Sequence, residues 1–463
     1  MMKIRIQAII DTDNQKNIIE DIVCLERDEL TAETLGLTLN EAKMINAEIQ
    51  RKMINHQMKD FICHHRFCPC CGTLHHIKGY NTLIYRTLFG KIILKNPRLE
   101  TCQCQPQSQS SFSPVSSILT EHISPELSYL EAKWASLVSY GQTVKLLEEV
   151  LPLEAHPSSI FNNLKKVSTR LEEEVGEEKY AYIEGCQRDW NQLPRPDTPI
   201  TVCLDGGYVH AREGNNRKAG WFEVIVGKGV QEGHDPKRFG YVANYEKKPK
   251  RKLHEMLQAQ GLQLNQDITF ITDGGDTVRE LPHFLSPRSE HIIDWFHVTM
   301  KITVIKQMSK GVMKKDLEDF EKSIESVKWF LWHGNTFQAL DILESLDFDL
   351  DQFAENKKHE KYNLWKAVHE FYQYISLNEP FIPNYSERYN HDEAVSSSVA
   401  ESTVNEVISR RMAKKQQMRW TQKGAHLLLQ VRAKTLNNEL RGSFKHWYPK
   451  MEKCNDNSLA AAA

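Results

Sequence analysis

Residues 200–210, ITVCLDGGYVH, and residues 268–275, ITFITDGG, follow one pattern: an apolar strand-forming run, then an aspartate, then two glycines. A buried strand fixes the carboxylate at its end, and the glycines leave the approach to it open. One such aspartate is usually a turn or capping residue, but two copies in one strand-rich region favour a functional pair, Asp205 and Asp273. Carboxylate oxygens bind Mg²⁺ or Mn²⁺ and can manage phosphate chemistry.

Other apolar runs surround this pair and predict further strands, namely WFEVIVGKGV (221–230), RFGYVANY (238–245) and HIIDWFHV (291–298). The last run holds Asp294 and His297, and there we expect a strand to turn into a helix. His297 could contact a phosphate or position a scissile bond. It could equally be a structural histidine that caps or packs the following helix.

A third acid is expected from AVSSSVAESTVNEVISRRMAKKQQMRW (394–420). Serines 396–398 can cap a helix, which places Glu401 in its early turns with Asn405 on the same face. Glu406 is the competing acid, and it points away from the face of Glu401. We therefore predict Glu401 as the third carboxylate.

The stretch 410–432 contains basic residues and no acid, as a helix that contacts DNA phosphates would. The run EKKPKRK (246–252) is a second basic cluster. For both, a solvated helix face is the alternative. The predicted DNA-binding residues are Arg410, Arg411, Lys414, Lys415, Arg419 and Lys423.

Cysteines cluster near the N-terminus, in FCPCCG (67–72) and TCQCQ (101–105). The segment 83–99 between them reads as two strands that turn at Gly90, which is the layout of a zinc ribbon with a closed, structural four-thiolate site. The alternative is ordinary buried or reactive thiols. The predicted zinc ligands are Cys68, Cys71, Cys102 and Cys104, with Cys63, Cys70, His64, His65, His75 and His76 as substitutes.

Helical periodicity runs through residues 124–172 with short breaks, and Pro157 is a plausible helix start. Three helices joined by tight turns can form a helix-turn-helix whose last helix enters the DNA major groove. A plain helical bundle fits the same pattern. The candidate DNA contacts are Ser158, Ser159, Asn162, Asn163, Lys165 and Lys166.

Composition sets outer limits on function. The 463 residues carry 59 basic and 61 acidic side chains, and the net charge of −2 excludes a uniformly basic nucleic-acid coat. No run approaches 18 apolar residues, so we expect no membrane span. The first residues lack the apolar core of a signal peptide, and we expect a cytoplasmic protein that associates with the nucleoid when it is bound to DNA.

Taken together, these motifs resemble the ISKra-type insertion-sequence transposases of bacteria and cyanobacteria. The resemblance covers about residues 63–440 and rests on FCPCCG and TCQC, LDGGYVH (204–210), ITDGG (271–275), IIDWFHV (292–298) and the run SSSVAES…LLLQVR (396–432). The Asp-x-x-His of residues 294–297 is similar to a motif that follows the fifth core strand in Mutator-like transposases.

The resemblance implies an α/β protein with a ribonuclease-H-like catalytic core, interrupted by an all-helical insertion and preceded by a zinc ribbon and a helical DNA-binding region. By the family's pattern, Asp205, Asp273 and Glu401 form an Asp-Asp-Glu triad that holds two Mg²⁺ or Mn²⁺ ions. The expected segments are 1–60 without an assigned role, 61–106 zinc-ribbon-like, 120–185 helical, 195–309 first part of the core, 310–390 helical insertion, 391–440 last part of the core with the catalytic Glu and basic helix, and 441–463 a tail.

The expected activity is DNA transposition, with double-stranded transposon ends and target DNA as partners and a homo-oligomer assembled on DNA. Two rival functions stay open. One is a stand-alone metal-dependent DNA nuclease that uses the same triad. The other is a non-catalytic regulator that binds DNA through the zinc ribbon and the helix-turn-helix.

Overall fold

The structure is a computed structural model in which the chain divides into two compact units. The first comprises the described residues of Met1–Val167 and Glu439–Ala463, and the second those of Ser168–Asn438. The residues described are 2–11, 18–102, 104, 110–179, 182, 183, 185–212, 220–275, 281, 289–313, 316–396, 403–413 and 418–451.

The first unit opens with an antiparallel hairpin and a long helix. Strands β1 (Met2–Ile10) and β2 (Ile18–Arg27) pair with each other, and helix α1 (Leu39–His65) follows them. A capping box begins α1: the Thr38 hydroxyl accepts from the Glu41 backbone N–H, and the Glu41 carboxylate accepts from the Thr38 backbone N–H. These reciprocal bonds satisfy two backbone donors that the first turn of the helix would otherwise leave unpaired.

A second antiparallel hairpin follows α1 and lies in the segment predicted as a zinc ribbon. Strands β3 (Ile77–Thr87) and β4 (Gly90–Glu100) are joined by a tight turn, in which Gly90 has a φ of +119° that favours glycine. Leu83 on β3 packs with apolar side chains of β4 and α1. The short strand β5 (Ser111–Phe112) pairs with β4, and helix α2 (Pro114–Ile118) follows.

Helices α3 (Pro125–Leu137), α4 (Tyr140–Val150) and α5 (Pro157–Glu173) occupy the segment predicted as helical. Ser124 and Ser139 cap the first two helices by accepting hydrogen bonds from backbone N–H groups of the first turn. On α5 one stripe of apolar side chains is buried at helical spacing, comprising Ile160, Leu164, Val167 and Leu171. The opposite face of α5 is left exposed.

A mixed sheet forms the centre of the second unit, which is therefore of the α/β class. Helix α6 (Gln187–Trp190) precedes the sheet. The strands are β6 (Ile200–His210), β7 (Trp221–Val230), β8 (Lys237–Val242), β9 (Ile268–Thr272) and β10 (Ser289–Ile293). Their order in the sheet is β10-β9-β6-β7-β8. The strands β6, β7 and β8 run antiparallel to one another in turn, whereas β9 and β10 run parallel to β6.

An apolar core lies between the sheet and the helix that connects its antiparallel strands to its parallel strands. Helix α7 (Pro249–Gln260) connects β8 to β9 and packs against β7 and β8. Leu253 and Leu257 of α7 are fully buried together with Val202 of β6 and Phe270 of β9. This core fixes β6 and β9, which position the two predicted aspartates. Asp273 directly follows β9, as expected, whereas Asp205 lies within β6, because that strand continues past Gly206 and Gly207 to His210 in its pairing with β7.

A bundle of helices follows β10 and begins at Trp295, whereas the helical insertion was expected over residues 310–390. It has its own core, in which Ile302, Ile324, Leu343 and Val368 are buried. A short 3-10 helix, Glu379–Phe381, lies within it. The helices are α8 (Trp295–Val312), α9 (Leu317–Trp332), α10 (Thr336–Asp351), α11 (Tyr362–Asn378) and α12 (Tyr385–Asn390).

The chain then returns to the sheet. A π-helix, Asn405–Ala413, lies against β6, and helix α13 (Gln422–Leu436) packs on β8. The contact with β6 is close, because a Cβ added at Gly207 would lie 2.7 Å from Cδ1 of Ile408. A glycine two residues after Asp205 is therefore what lets this helix approach the strand.

The C-terminal segment 441–463, predicted as a tail, is a helix over part of its length. Helix α14 (Leu440–Trp447) buries Phe444, whose ring lies 5.5 Å from that of Tyr129 on α3. Arg441 forms an ion pair with Glu126, also on α3, at 2.6 Å. The prediction overlooked the apolar face of this short helix. No helix in the described ranges has both the length and the apolar composition needed to cross a membrane.

Candidate active site and metal centre

Three aspartates lie at one level across three neighbouring parallel strands. Leu204 of β6 is the partner of Thr272 of β9, and Thr272 is the partner of Ile293 of β10. The next residues are Asp205, which lies within β6, and Asp273 and Asp294, which directly follow β9 and β10. The Asp294 backbone N–H donates to the Thr272 carbonyl at 2.9 Å, which continues the register past the strand ends. The parallel register thus brings together the two predicted aspartates and adds a third.

Burial and neighbouring charge make Asp205 hard to ionise. Burial, and next the negative charge of Asp273, raise the pKa of Asp205 from 3.8 to about 6. The nearby His297 and a hydrogen bond from the Gly206 backbone N–H at 2.7 Å act in the opposite direction. A site that concentrates negative charge in this way favours a bound cation, which would stabilise both ionised carboxylates.

The loop after β9 is held by hydrogen bonds at several points. The Gly275 backbone N–H donates to Oδ1 of Asp273 at 3.0 Å, and the Gly274 N–H donates to the Thr272 hydroxyl at 3.1 Å. Gly274 has a φ of +80°, which a residue with a side chain rarely adopts. The second Asp-Gly-Gly motif therefore serves to turn the chain sharply while keeping the carboxylate of Asp273 fixed.

Asp294 and His297 form a pair at the start of α8. Asp294 is 1% exposed, and its Oδ1 accepts from the Phe296 backbone N–H at 2.9 Å, which caps the helix. Its Oδ2 lies 3.6 Å from Nδ1 of His297. The interaction with Asp294, and further the charges of Asp273 and Asp205, raise the pKa of His297, which favours the imidazolium. His297 thus interacts electrostatically with Asp205, Asp273 and Asp294, which together form the aspartate row. It also contacts Asp294 directly, and Asp294 is the residue that caps α8.

Glu401 and Glu406 are the two candidates for the third acid. Glu401 lies outside the described residues. Glu406, the competing acid, is on the π-helix and forms an ion pair with Arg238 of β8 at 2.8 Å. Because β8 is the edge strand farthest from β9 in the sheet, this pairing directs Glu406 away from Asp273.

The donor set at the aspartate row fits a hard divalent cation. Asp205 and Asp273 offer carboxylate oxygens, the ligand type that Mg²⁺ and Mn²⁺ prefer. Asp294 is already engaged with a backbone N–H and with His297. The residues present therefore fit a metal held by Asp205 and Asp273 with a further ligand from elsewhere.

A four-cysteine cluster forms in the first unit from the predicted zinc ligands. The Sγ atoms of Cys68 and Cys104 are 3.3 Å apart, and those of Cys71 and Cys102 are also 3.3 Å apart. These separations are slightly below the roughly 3.8 Å between sulfurs around a tetrahedral Zn²⁺ with bonds of about 2.3 Å. Hydrogen bonding with Thr73 lowers the pKa of Cys71 to about 6, which favours the thiolate that a metal requires.

The substitute ligands do not join this cluster, as far as the described residues extend. His64 and His65 bond to carbonyl groups of their own helix, and His75 bonds to the Glu100 carbonyl at 2.6 Å. Cys63 and Cys70 are exposed and are not part of the set of converging thiols. The four cysteines could thus hold one metal ion.

The predicted DNA-binding residues divide by exposure. Arg410, Arg419 and Lys423 are exposed, whereas Lys414 and Lys415 lie outside the described residues. Arg411 is fully buried, and its guanidinium lies over the ring of Trp420 at 5.1 Å. The expectation of a DNA contact at Arg411 is therefore wrong, because the π-helix turns this side chain inward together with Val407, Ile408 and Met412.

Helix α5 also separates its candidate DNA contacts into two groups. Asn163 is buried and bonds to the hydroxyl and the carbonyl of Ser128 on α3, so it ties the two helices together rather than facing solvent. Ser159 is half-buried. The remaining candidates, which are exposed, are Ser158, Asn162, Lys165 and Lys166.

A second polar cluster, which the sequence did not indicate, is buried in the second unit. Ligand atoms of Glu172, Glu246 and His426 lie within 4.8 Å of one another, so these residues could hold a metal. However, Nζ of Lys252 lies 2.5 Å from Glu172 and 3.4 Å from Glu246. Lys252 therefore offsets part of the charge of the two carboxylates, and this last residue of the second basic cluster is an internal ion-pair partner.

Comparisons with known proteins add little. No protein-family model matches the chain, and no curated protein matches it. Among solved structures, one described as the crystal structure of NurA is 14% identical and covers 55% of this chain and 74% of its own, with a TM-score of 0.11. So slight a likeness carries no statement about fold or function.

Proposed function

We propose that the chain is a DNA transposase that cleaves transposon ends and joins them to target DNA by phosphoryl transfer. The observation that carries this proposal is the position of Asp205 and Asp273 at one level of adjacent parallel strands, where the charge of Asp273 raises the pKa of Asp205. The sequence motifs that resemble ISKra-type transposases give the proposal its specific reaction. Glu401 is assigned as the third acid from that resemblance.

The arrangement of the sheet supports a ribonuclease-H-like core. Such a core, in the family that the motifs resemble, carries the first aspartate on its first strand and the second on its fourth, with the fifth strand beside the fourth. Here Asp205 lies on β6, Asp273 directly follows β9, and β10 pairs with β9. The bundle that begins at Trp295 occupies the interval before Glu401, as an insertion in that core would.

In the proposed mechanism Asp205, Asp273 and Glu401 would hold two Mg²⁺ or Mn²⁺ ions, which would supply activation of the attacking oxygen and stabilisation of the leaving oxygen. Water forms a bond to the phosphorus at the transposon end, and the phosphorus–O3′ bond breaks to leave a free 3′-hydroxyl. That hydroxyl oxygen then bonds to a target phosphorus, and the target's own phosphorus–O3′ bond breaks. No covalent protein–DNA intermediate is needed.

His297 has a separate part in this mechanism. Because Asp294 raises the pKa of His297, the imidazolium is available as a hydrogen-bond donor beside the carboxylates. We propose that it donates to the scissile phosphate, where negative charge accumulates as the new bond forms. Asp294 holds the ring in position through the contact at 3.6 Å.

The remaining assignments concern DNA and zinc. Exposed Lys165 and Lys166 on α5, with Arg410, Arg419 and Lys423, are proposed to contact DNA phosphates. The helices α3 to α5 would act as a helix-turn-helix, and the protein would assemble as a homo-oligomer on DNA. The four cysteines are proposed to bind one structural Zn²⁺ that stabilises the hairpin β3–β4, forming a zinc ribbon.

A joining assay separates this proposal from its rivals. Purified protein is incubated with Mg²⁺, a labelled duplex that carries the inverted repeats flanking the gene, and a supercoiled target plasmid. A transposase yields covalent donor–target products. Cleavage without joining would indicate the stand-alone nuclease, and tight DNA binding without either product would indicate the regulator.

A further inference from the structure

Helix α11 of the bundle reaches the loop that carries Asp273. The Tyr374 hydroxyl donates a hydrogen bond to the Asp273 backbone carbonyl at 2.9 Å, although the two residues are 101 positions apart. Burial, and next the charge of Asp273, raise the pKa of Tyr374, so the hydroxyl keeps its proton and remains a donor. Nζ of Lys301, on α8, lies 4.6 Å from the centre of the Tyr374 ring. The face of the Tyr374 ring thus contacts Lys301, and its hydroxyl contacts Asp273.

Asn378, at the end of the same helix, supports the next residue of the loop. Its side chain is buried, and Nδ2 donates to the Tyr374 carbonyl at 2.8 Å. Its Oδ1 has no hydrogen-bond partner among the described residues, and a Cβ added at Gly274 would lie 2.8 Å from it. Only glycine leaves room for this approach. Tyr374 and Asn378 thus contact two successive residues of the loop.

These contacts act on the backbone and leave the carboxylate of Asp273 free for other partners. A hydrogen bond to the Asp273 carbonyl fixes the peptide plane that follows it, and the next two N–H groups bond to Thr272 and to Asp273 itself. The direction of the carboxylate therefore depends on α11 as well as on β9. Hydrogen bonds that orient a ligating side chain from outside the coordination shell typically affect metal affinity about 10- to 100-fold. The bond from Tyr374 would orient the carboxylate in the same way, through the backbone of Asp273.

We infer that Tyr374 is a positioning residue for Asp273, and that the helical bundle through it sets the geometry in which the aspartate row binds a divalent cation. This inference rests on the proposed function of that row. It assigns the bundle a role inside the active site, in addition to any contact with DNA.

The test removes a single oxygen atom. Tyr374→Phe keeps the ring and its packing but loses the hydrogen bond to Asp273. Tyr372→Phe is the matched control, since it removes a hydroxyl from the same helix at a residue that has no described contact with the loop. Mn²⁺ binding to the full-length, zinc-loaded variants freed of Mg²⁺ is measured by water-proton relaxation, without DNA, and folding is checked by thermal unfolding.

We expect Tyr374→Phe to weaken Mn²⁺ binding at least about 10-fold and Tyr372→Phe to leave it unchanged, with both variants folded. Asp273→Asn calibrates the site by abolishing this binding. Wild-type affinity in Tyr374→Phe, with binding lost in Asp273→Asn, would overturn the inference and leave the proposed function standing. Equal weakening in both tyrosine variants would overturn it too. Unchanged binding in Asp273→Asn would instead refute the metal site itself.

Discussion

Replacing Asp205 by asparagine should stabilise the protein at neutral pH in the absence of Mg²⁺, while abolishing the DNA cleavage that we propose for it. The folded protein holds this carboxylate where burial and Asp273 oppose its charge, and its pKa of about 6 is far above the ordinary 3.8. Above pH 6 the folded state must therefore carry a charge that the unfolded chain carries at no cost. Asparagine keeps the acceptor for the Gly206 N–H and removes the charge.

The size of the effect follows from the two pKa values of Asp205. The difference between 3.8 and about 6 corresponds to at most about 3 kcal/mol, since one pKa unit is about 1.4 kcal/mol. In domains of 150–250 residues each kcal/mol shifts the melting temperature by about 2–4 °C. Between pH 4 and 6 the folded state binds a proton at Asp205 more tightly than the unfolded chain does. The destabilisation of the folded wild type by this carboxylate therefore grows as the pH rises, and it is complete above pH 6.

The measurement is a set of thermal unfolding curves for wild type and Asp205→Asn in chelator, from pH 4.5 to 8. The variant should melt several degrees higher at pH 8, and the difference should shrink towards zero as the pH falls to 4.5. Adding Mg²⁺ should raise the melting temperature of the wild type more than that of the variant. A variant that melts lower than wild type at pH 8, or a difference independent of pH, would refute this account of the site.

Three further predictions concern other residues. The wild type should contain one zinc per chain in elemental analysis, and Cys68→Ser combined with Cys71→Ser should lose it and unfold the hairpin β3–β4; full zinc occupancy in the double variant would contradict the proposed zinc site. Glu406→Gln should lower the free energy of unfolding by about 1–2 kcal/mol, through loss of its partly buried bond with Arg238, and leave cleavage per folded molecule unchanged. His297→Gln should slow cleavage by about 10²-fold with DNA binding retained. In the wild type, the rate should decline as the pH rises above the raised pKa of His297 and the imidazolium loses its proton, and this decline should be absent from the variant. An unchanged rate would exclude His297 from the site.

Local sequence patterns were enough to predict the positions of residues that are placed by a single strand or turn. Asp205 and Asp273 each follow an apolar run and precede glycines, so both strands could be predicted from the sequence. The end of β9 before Asp273 was also predicted, whereas β6 continues beyond Asp205 to His210 because it pairs with β7 there. The four cysteines were likewise indicated by spacing, and they converge. The segment between them is a hairpin that turns at Gly90, as predicted.

Features that depend on distant parts of the chain could not be read in this way. Tyr374 has no local motif, and only the packing of the bundle brings its hydroxyl to Asp273. Arg411 lies in a run of basic residues that looked like one exposed face, but a π-helix changes which side chains face inward, and Arg411 is buried. Lys252 also lies in a basic run that looked exposed, but it is buried and paired with Glu172, which is distant in the sequence.

The most direct test of the proposed function is DNA cleavage and joining by Asp205→Ala, Asp273→Ala and Glu401→Ala, measured beside DNA binding on the same preparations. The proposal predicts that each variant loses both products and binds DNA as the wild type does, because the carboxylates hold the metal ions whereas distant basic residues hold the phosphates. Near-full cleavage by Asp205→Ala or Asp273→Ala would contradict the central claim.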